Sequence, residues 1–215
     1  MLKKAVFRLL IGLWLAYVIA PYIQPDDPAG CVRMTPGVMD YSGCSFDGHS
    51  VYKLDGEWEF FRNAMLPPDR MDASRLSDAE YIEVPSSWSR TWTLHPEERL
   101  GYATYRLRLI LPEKQRSYGL QLTRILSSSQ LYVDGELLGG SGQPGTSAET
   151  TISVSRPYTA YFDTDGPDVE LVIHVANFAY WTSGIAEPVY LGTAETISDR
   201  AFAMSGTNWR LSSVF

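Results

Sequence analysis

GYATYRLRLIL, residues 101–111, decides the fold. Ala103, Tyr105, Leu107, Leu109 and Leu111 fall on one side of an extended chain, and Thr104, Arg106 and Arg108 fall on the other. Such a period of two marks a half-buried β-strand, and Pro112 stops it because proline cannot donate to a ladder. The same pattern continues in both directions. Upstream, VYKLDGEWEFF (51–61) alternates from Leu54, with Gly56, Trp58 and Phe60 on one face and Asp55, Glu57 and Glu59 on the other. Residues 81–84 form a short strand closed by Pro85. Downstream, residues 118–126 alternate through Leu120 and Leu122, and residues 130–138 read as a hairpin whose two-residue turn is Asp134-Gly135. Strands over 158–162, 169–175 and 189–191 complete the series, with Val169, Leu171, Ile173 and Val175 opposite Glu170, Val172 and His174.

Roughly eight or nine short strands separated by turns predict a β-sandwich or barrel. No helix of useful length falls between them, which excludes parallel α/β folds, since these need crossover helices. Residues 66–79 (LPPDRMDASRLSDA) read as a polar loop, and Trp88 and Trp92 sit in a second loop rich in Ser and Thr. The expectation is an all-β, jelly-roll type sandwich over residues 50–197, followed by a tail over 198–215.

The chain has 215 residues, 45% hydrophobic and 13% aromatic, enough for one packed domain of this class. Its net charge of -7 excludes a nucleic-acid surface, which needs clustered Lys and Arg to displace counterions. Residues 1–23 read as a separate export segment: Lys3, Lys4 and Arg8 precede an unbroken apolar run, LLIGLWLAYVIA, over 9–20. It is either an uncleaved signal anchor or a cleaved signal peptide, with Pro21 placed to hinder cleavage after Ala20. Both put the rest of the chain outside the cytoplasm, membrane-bound in the first case and secreted in the second. Residues 24–49 read as a linker. Its Cys31 and Cys44, the only two cysteines, agree with export as a disulfide; two free thiols or a lipidated Cys31 are the alternatives.

The segments LDGEWEF (54–60), VPSSW (84–88), GYATYRLRLILP (101–112), SSSQLYVDGELLG (127–139) and VELVIHVANF (169–178) carry a resemblance. In this order they resemble the galactose-binding-like jelly-roll domain at the N-terminus of family 2 glycoside hydrolases. The chain looks closer still to the version displayed outside the membrane by bacterial seven-transmembrane receptors with diverse intracellular signalling modules. Where the glycosidase domains commonly carry an Asn-Gly turn, this chain has Asp134-Gly135, and Asp serves the same turn chemistry. The resemblance implies a ligand-sensing ectodomain whose kinase or cyclase output lies elsewhere. The alternative is an accessory domain of an exported glycosidase.

Domains of this kind bind sugars by stacking aromatic rings on apolar sugar faces, with a few amide or charged hydrogen bonds. The candidate ligand residues are Trp88 and Trp92 in one loop, Gln143 in a glycine-rich one, and Asn177, Tyr180 and Trp181 in NFAYWTSG. Arg106 is added for an acidic ligand, against the plainer reading of a surface ion pair. The adjacent rings of Tyr180 and Trp181 cannot both be readily buried between Gly and Ser. His49, His95 and His174 share no metal-ligand spacing, so neither metal nor cofactor is expected. No nucleophile elbow or phosphate loop is present in the sequence, and Glu57 and Glu59, side by side on one strand face, look solvent-exposed rather than poised across a cleft. A non-catalytic chain is the expectation, with a small-molecule or carbohydrate ligand and a membrane contact through the N-terminal helix.

Overall fold

The computed structural model describes residues 30–68, 79–88, 100–113 and 117–211, with side chains of the last helix described up to Met204. The export segment at 1–23, Trp92 and His95 lie outside the described residues.

The alternation found in the sequence becomes a two-layer sandwich. Its first elements are Arg33–Thr35 (β1), Val38–Asp40 (β2), Val51–Lys53 (β3), Gly56–Arg62 (β4), Glu80–Val84 (β5), Gly101–Ile110 (β6) and Ser117–Leu122 (β7). There follow Ile125–Leu126 (β8), Ser128–Val133 (β9), Glu136–Ser141 (β10), Tyr158–Asp163 (β11), Asp168–Asn177 (β12), Gly184–Ile185 (β13) and Val189–Thr193 (β14). The chain then enters a helix, Ala194–Leu211 (α1). In the larger sheet β6, β12, β9 and β10 lie side by side; β4 and β2 share the far edge of β6, and β5 pairs outside β4. The smaller sheet runs β11-β7-β14-β3, and β13 pairs with β8 in a separate ribbon.

The central pairing is β12 against β6, antiparallel over ten residue pairs from Asp168↔Ile110 to Asn177↔Gly101. This register puts Val169, Leu171, Ile173 and Val175 on the same inward face as Leu109, Leu107, Tyr105 and Ala103. Leu120, Leu122, Phe162, Val189 and Leu191 of the smaller sheet meet them in one core cluster. Burial of such side chains is worth about 1.5–3 kcal/mol each and is the main driving term of the fold.

Three segments differ from the sequence reading. The linker expected over 24–49 is, from Gly30 onward, part of the domain: β1 and β2 form a hairpin through Pro36 and Gly37, and β2 joins β6 in parallel through Val38↔Arg108 to Asp40↔Ile110. Gly37 has φ 76°, a conformation that glycine adopts without strain. Met39 and Tyr41 enter the core, and the Tyr41 hydroxyl donates to the Lys53 carbonyl at 3.0 Å. The Cys31–Cys44 disulfide is formed and ties this hairpin to the loop after it; closing a loop of this size constrains the unfolded chain by about 3 kcal/mol in the chain-entropy account.

The second difference is that the strand expected over 51–61 breaks at Leu54 and Asp55, so that β3 joins the smaller sheet and β4 the larger one. The Trp58 indole closes the corner by donating to the Leu54 carbonyl at 3.0 Å.

The third is the tail expected over 198–215, which begins inside α1. Thr193 caps this helix: its Oγ1 accepts from the Thr196 backbone N–H at 3.1 Å. Gly119 and Gly192 are cross-strand partners on the outer face of the smaller sheet. A side chain at Gly119 would collide with Ile197, which is fully buried there, and one at Gly192 would press on it at 3.3 Å. The two glycines thus form the notch into which α1 docks. Arg200 adds a hydrogen bond to Gln121 at 2.8 Å and lies 3.9 Å from the centre of the Tyr190 ring. Among the described residues no helix is long and apolar enough to cross a membrane.

On the outer face of the larger sheet, the chain after β4 folds back over β6 and β12. Leu66 N–H donates to Thr104 Oγ1 at 3.0 Å, and Thr104 Oγ1 donates to the Ala64 carbonyl at 2.9 Å. His174 Nε2 lies 2.7 Å from the Leu66 carbonyl, so this nitrogen carries the proton. Burial holds the His174 pKa below its ordinary value of 6.5 against the opposing effect of that bond. The unfolded chain therefore binds more protons than the folded one below that pH. Stability is expected to be full above about pH 6.5 and to fall on acidification toward the depressed folded pKa. His174→Gln should make that fall shallower, a difference read from urea midpoints across the range.

Candidate functional site

The registers gather one set of loops at one end of the sandwich. Asn177 ends β12 opposite Gly101, Ser128 opens β9 opposite Ala176, and Ser141 ends β10 opposite Ser129. The loops that leave here are 63–68, 123–127, 142–157 and 178–183, and residues 86–88, which leave β5 opposite Gly56, reach them through Ser86 and Trp88. The Asp134-Gly135 turn and the loop 164–167 lie at the opposite end, because Asp168 pairs with Ile110 and Leu171 with Val133.

Loop 178–183 is built around Asn177. This side chain is 0% exposed. Its Oδ1 accepts from the Ala179 and Tyr180 N–H groups at 3.3 and 2.9 Å. Its Nδ2 donates to the Tyr180 and Thr182 carbonyls at 2.8 and 3.3 Å. A single amide therefore satisfies both the donors and the acceptors of a tight loop. The clamped turn presents Tyr180 and Trp181 outward, 45% and 79% exposed. The return strand is fixed as well: Trp88 N–H donates to the Ser183 carbonyl at 3.1 Å and Ser86 N–H to the Ile185 carbonyl at 2.8 Å. Gly184 between them has φ 98°, and a side chain there would meet the Ser86 carbonyl and the Trp88 ring at 3.0 Å.

The other expected ligand residues have varied positions. Gln143 is exposed at the same end, where its backbone forms a two-way bridge with Ile152 that closes the glycine-rich loop. Trp88 is corrected: it is 2% exposed, packs edge-on to Phe60, and donates its indole N–H to the Tyr105 hydroxyl. Burial pushes that phenol well above its usual range, so it stays neutral. Trp88 thus plugs the end of the core and offers no open stacking face. Asn177 is corrected too, since all its polar capacity is spent on the loop.

Arg106 is the third correction. It lies mid-strand on the outer face of the larger sheet, away from the end loops, with its guanidinium 2.6 Å from Glu59 Oε2 and 2.5 Å from Glu170 Oε2. These contacts raise its pKa against the cost of burial, which by itself would lower it. Glu59, expected in solvent, is half-buried beneath this pairing, while Glu57 is exposed. Arg108 pairs at the surface with Asp168 at 2.9 Å. Of the two glutamates weighed in the sequence, Glu59 thus shares the Arg106 cation with Glu170, and Glu57 stands exposed. Among the described residues no group of three or more His, Cys, Asp or Glu stands close enough to hold a metal.

Sequence reasoning missed a recess at the same end. It is a shallow surface dimple too narrow to take a water molecule, lined by Phe60, Arg62, Asn63, Trp88, Leu100, Gly101 and Tyr102. Its signal was available in GEWEFFR, because Arg62 shares strand parity with Trp58 and Phe60 and pairs with inward-facing Ala103. An arginine in that row must emerge where the core opens.

No family model matches this chain, and no curated protein matches it. Among solved structures it is similar to Bacteroides uniformis β-glucuronidase 2 covalently bound to cyclophellitol-6-carboxylate aziridine, at 18% identity and a TM-score of 0.51 over 66% of this chain and 17% of that one. It is similar to a Bacteroides uniformis β-glucuronidase at 17% identity and a TM-score of 0.50, with 66% and 17% covered. A β-glucuronidase of Faecalibacterium prausnitzii follows at 16% identity, a TM-score of 0.48 and 66% and 31% covered. The chain spans under a third of each of these proteins, and the likeness to the two Bacteroides uniformis structures concerns the fold, an all-β sandwich.

Proposed function

We propose that this chain is a non-catalytic, extracytoplasmic domain that recognises a carbohydrate and serves as the sensing ectodomain of a membrane receptor. The observation that carries the recognition is the clamped loop with Trp181 standing 79% exposed at its tip. A large aromatic ring held rigidly in water costs free energy unless something covers it, and a rigid ring needs little ordering when a sugar stacks on it. The Cys31–Cys44 disulfide and the apolar run over 9–20 support a place outside the cytoplasm. Helix α1, capped by Thr193 and seated on the Gly119–Gly192 notch, is a stiff exit from the sandwich of the kind a signal could follow. The engagement of Glu59 and Glu170 by Arg106 supports the absence of chemistry.

The second reading, an accessory domain of an exported glycosidase, is favoured by the likeness of the sandwich to domains within β-glucuronidases. It predicts the same recognition loop with a catalytic domain as partner in place of a membrane.

A glycan array followed by thermal shift on the full chain tests the proposal. A sugar at about a hundred times its Kd stabilises by about 2.7 kcal/mol, enough to raise the melting temperature by several degrees. Trp181→Ala should weaken that sugar at least tenfold while leaving the unliganded melting temperature within about a degree. Silence across the array, or a Trp181→Ala variant that binds as well as the parent, would remove the recognition role. Recovery of the full chain in membranes rather than in the medium separates the receptor from the secreted accessory domain.

A further inference from the structure

Beside the aromatic loop stands a second clamped loop, residues 142–157, and what it holds out is aliphatic. Ile152 is 57% exposed. Its backbone is nonetheless fixed: the Ile152 N–H donates to the Gln143 carbonyl and the Gln143 N–H to the Ile152 carbonyl, both at 2.9 Å. Gly142, at φ 71°, lets the two arms of the loop close, since a side chain there would collide with the Ile152 carbonyl and crowd Ser128. The Ser141 hydroxyl holds the returning arm by donating to the Val154 carbonyl at 2.9 Å. The two loops are also joined at their roots. Ser153 Oγ lies 3.2 Å from Ser127 Oγ, and Ser127 Oγ donates at 3.0 Å to the carbonyl of Ala176, the residue before the Asn177 clamp. Ile152 and Trp181 thus stand on one braced surface, each held in water by backbone and hydroxyl bonds that its own side chain does not make.

We infer that Ile152 covers an apolar substituent of the bound sugar, so that the ligand is a glycoside with an apolar aglycone and not a free sugar. The inference rests on the carbohydrate reading above and names the ligand class. An aliphatic side chain offers neither a π face for sugar C–H groups nor a hydrogen bond for hydroxyls, and hydroxyls laid on it would lose water without replacement. Hydrocarbon is what gains by covering it. The sheet order sets the spacing. The Ile152 loop continues β10 and the Trp181 loop continues β12, with β9 between them, so their roots are two strand spacings apart, about 10 Å. A hexose ring stacked on Trp181 does not reach across that gap, whereas a ring carrying several carbons on its glycosidic oxygen does.

Matched glycosides separate this inference from the reading it rests on. Calorimetric titration of the full chain with hexyl against methyl β-D-glucopyranoside, and with hexyl against methyl β-D-galactopyranoside, varies the aglycone on an unchanged ring. The hexyl member of at least one pair should bind roughly tenfold or more tightly, a gain that burial of about two methylene groups supplies, with a more negative heat-capacity change. High salt should not narrow that gap, because no charge carries it. Ile152→Ser should erase most of the gain without weakening the methyl glycoside, since the loop is closed by backbone. Trp181→Ala should weaken both members alike, because the ring serves the sugar. Equal affinity within both pairs, a gain that survives Ile152→Ser, or hexyl binding untouched by Trp181→Ala while methyl binding falls overturns the inference and leaves carbohydrate recognition standing. Failure of all four glycosides overturns both. If Ile152→Ser does not fold, the ratios and heat-capacity changes of the parent chain decide alone.

Discussion

Replacing Arg106 by alanine is expected to lower the stability of the domain by about 3 kcal/mol, measured by urea unfolding at neutral pH. Arg106 is 7% exposed, and its carboxylate partners Glu59 and Glu170 have side chains only 14% and 24% exposed. Each partner comes from a different neighbour of β6, Glu59 from β4 and Glu170 from β12, so the guanidinium ties three strands on the outer face of the larger sheet. Its removal strands two partly buried carboxylates with no cation between them. That penalty is larger than the net worth of the triad, because a pair or triad of buried ions recovers much of its desolvation cost only while it is complete. Arg106→Met combined with Glu59→Gln and Glu170→Gln should therefore restore most of the loss, whereas independent sites would add. Ligand binding in Arg106→Ala should match that of the parent once the protein is folded. A variant of parental stability that no longer binds sugar would instead return Arg106 to the recognition surface.

The triad also shows what the sequence could and could not tell. Alternation in GYATYRLRLIL separates the inward row of Tyr105 and Leu107 from the outward row of Arg106 and Arg108 without ambiguity. It does not distinguish two outward arginines from each other. Arg108 is an exposed residue near the strand end, whereas Arg106 is sealed by Glu59 and Glu170 from strands about fifty and sixty residues away in the chain. Outward is not the same as solvated when a sheet is several strands wide and a loop folds back across it, as residues 64–66 do over Thr104 and His174.

Local patterning legibly marked long strands and underread short ones. β6 and β12 have ten residues each, and their periodicity identifies them. β1 and β2 have three each, too few for a period, so the hairpin around Pro36-Gly37 was read as part of a linker. Helix α1 was missed for a related reason: polar residues are spread among its apolar ones, and it is anchored through the buried Ile197 on a glycine pair about five and seventy-eight positions upstream. A cap threonine four residues before an isoleucine is a weak signal until the notch that receives the isoleucine is known. The exposed loop aromatics Tyr180 and Trp181 were legible because Gly and Ser neighbours give nothing to bury them against. The role of Asn177 was not, since the same residue type serves equally as a ligand donor and as a loop clamp.

Asn177→Leu should therefore act on both stability and recognition, and the two effects should be separable. The amide makes four hydrogen bonds to loop backbone from a fully buried position. An aliphatic side chain of similar size leaves the N–H groups of Ala179 and Tyr180 and the carbonyls of Tyr180 and Thr182 to find other partners. Unsatisfied buried groups cost about 1–3 kcal/mol each, but most of these can turn toward water if the loop opens, so the net loss is expected at about 2–3 kcal/mol. Opening the loop releases Trp181 from its fixed presentation, and sugar affinity should fall by an amount close to that of Trp181→Ala. Asn177→Asp separates the contributions: its carboxylate still accepts from the two N–H groups but can no longer donate to the Tyr180 and Thr182 carbonyls, which it instead faces with negative charge. Its loss of stability should approach that of the leucine variant. Combining Asn177→Leu with Trp181→Ala completes the cycle. If Asn177 acts only by holding the ring in place, the double variant binds sugar no worse than Trp181→Ala alone; if the amide itself touches the ligand, the two losses add.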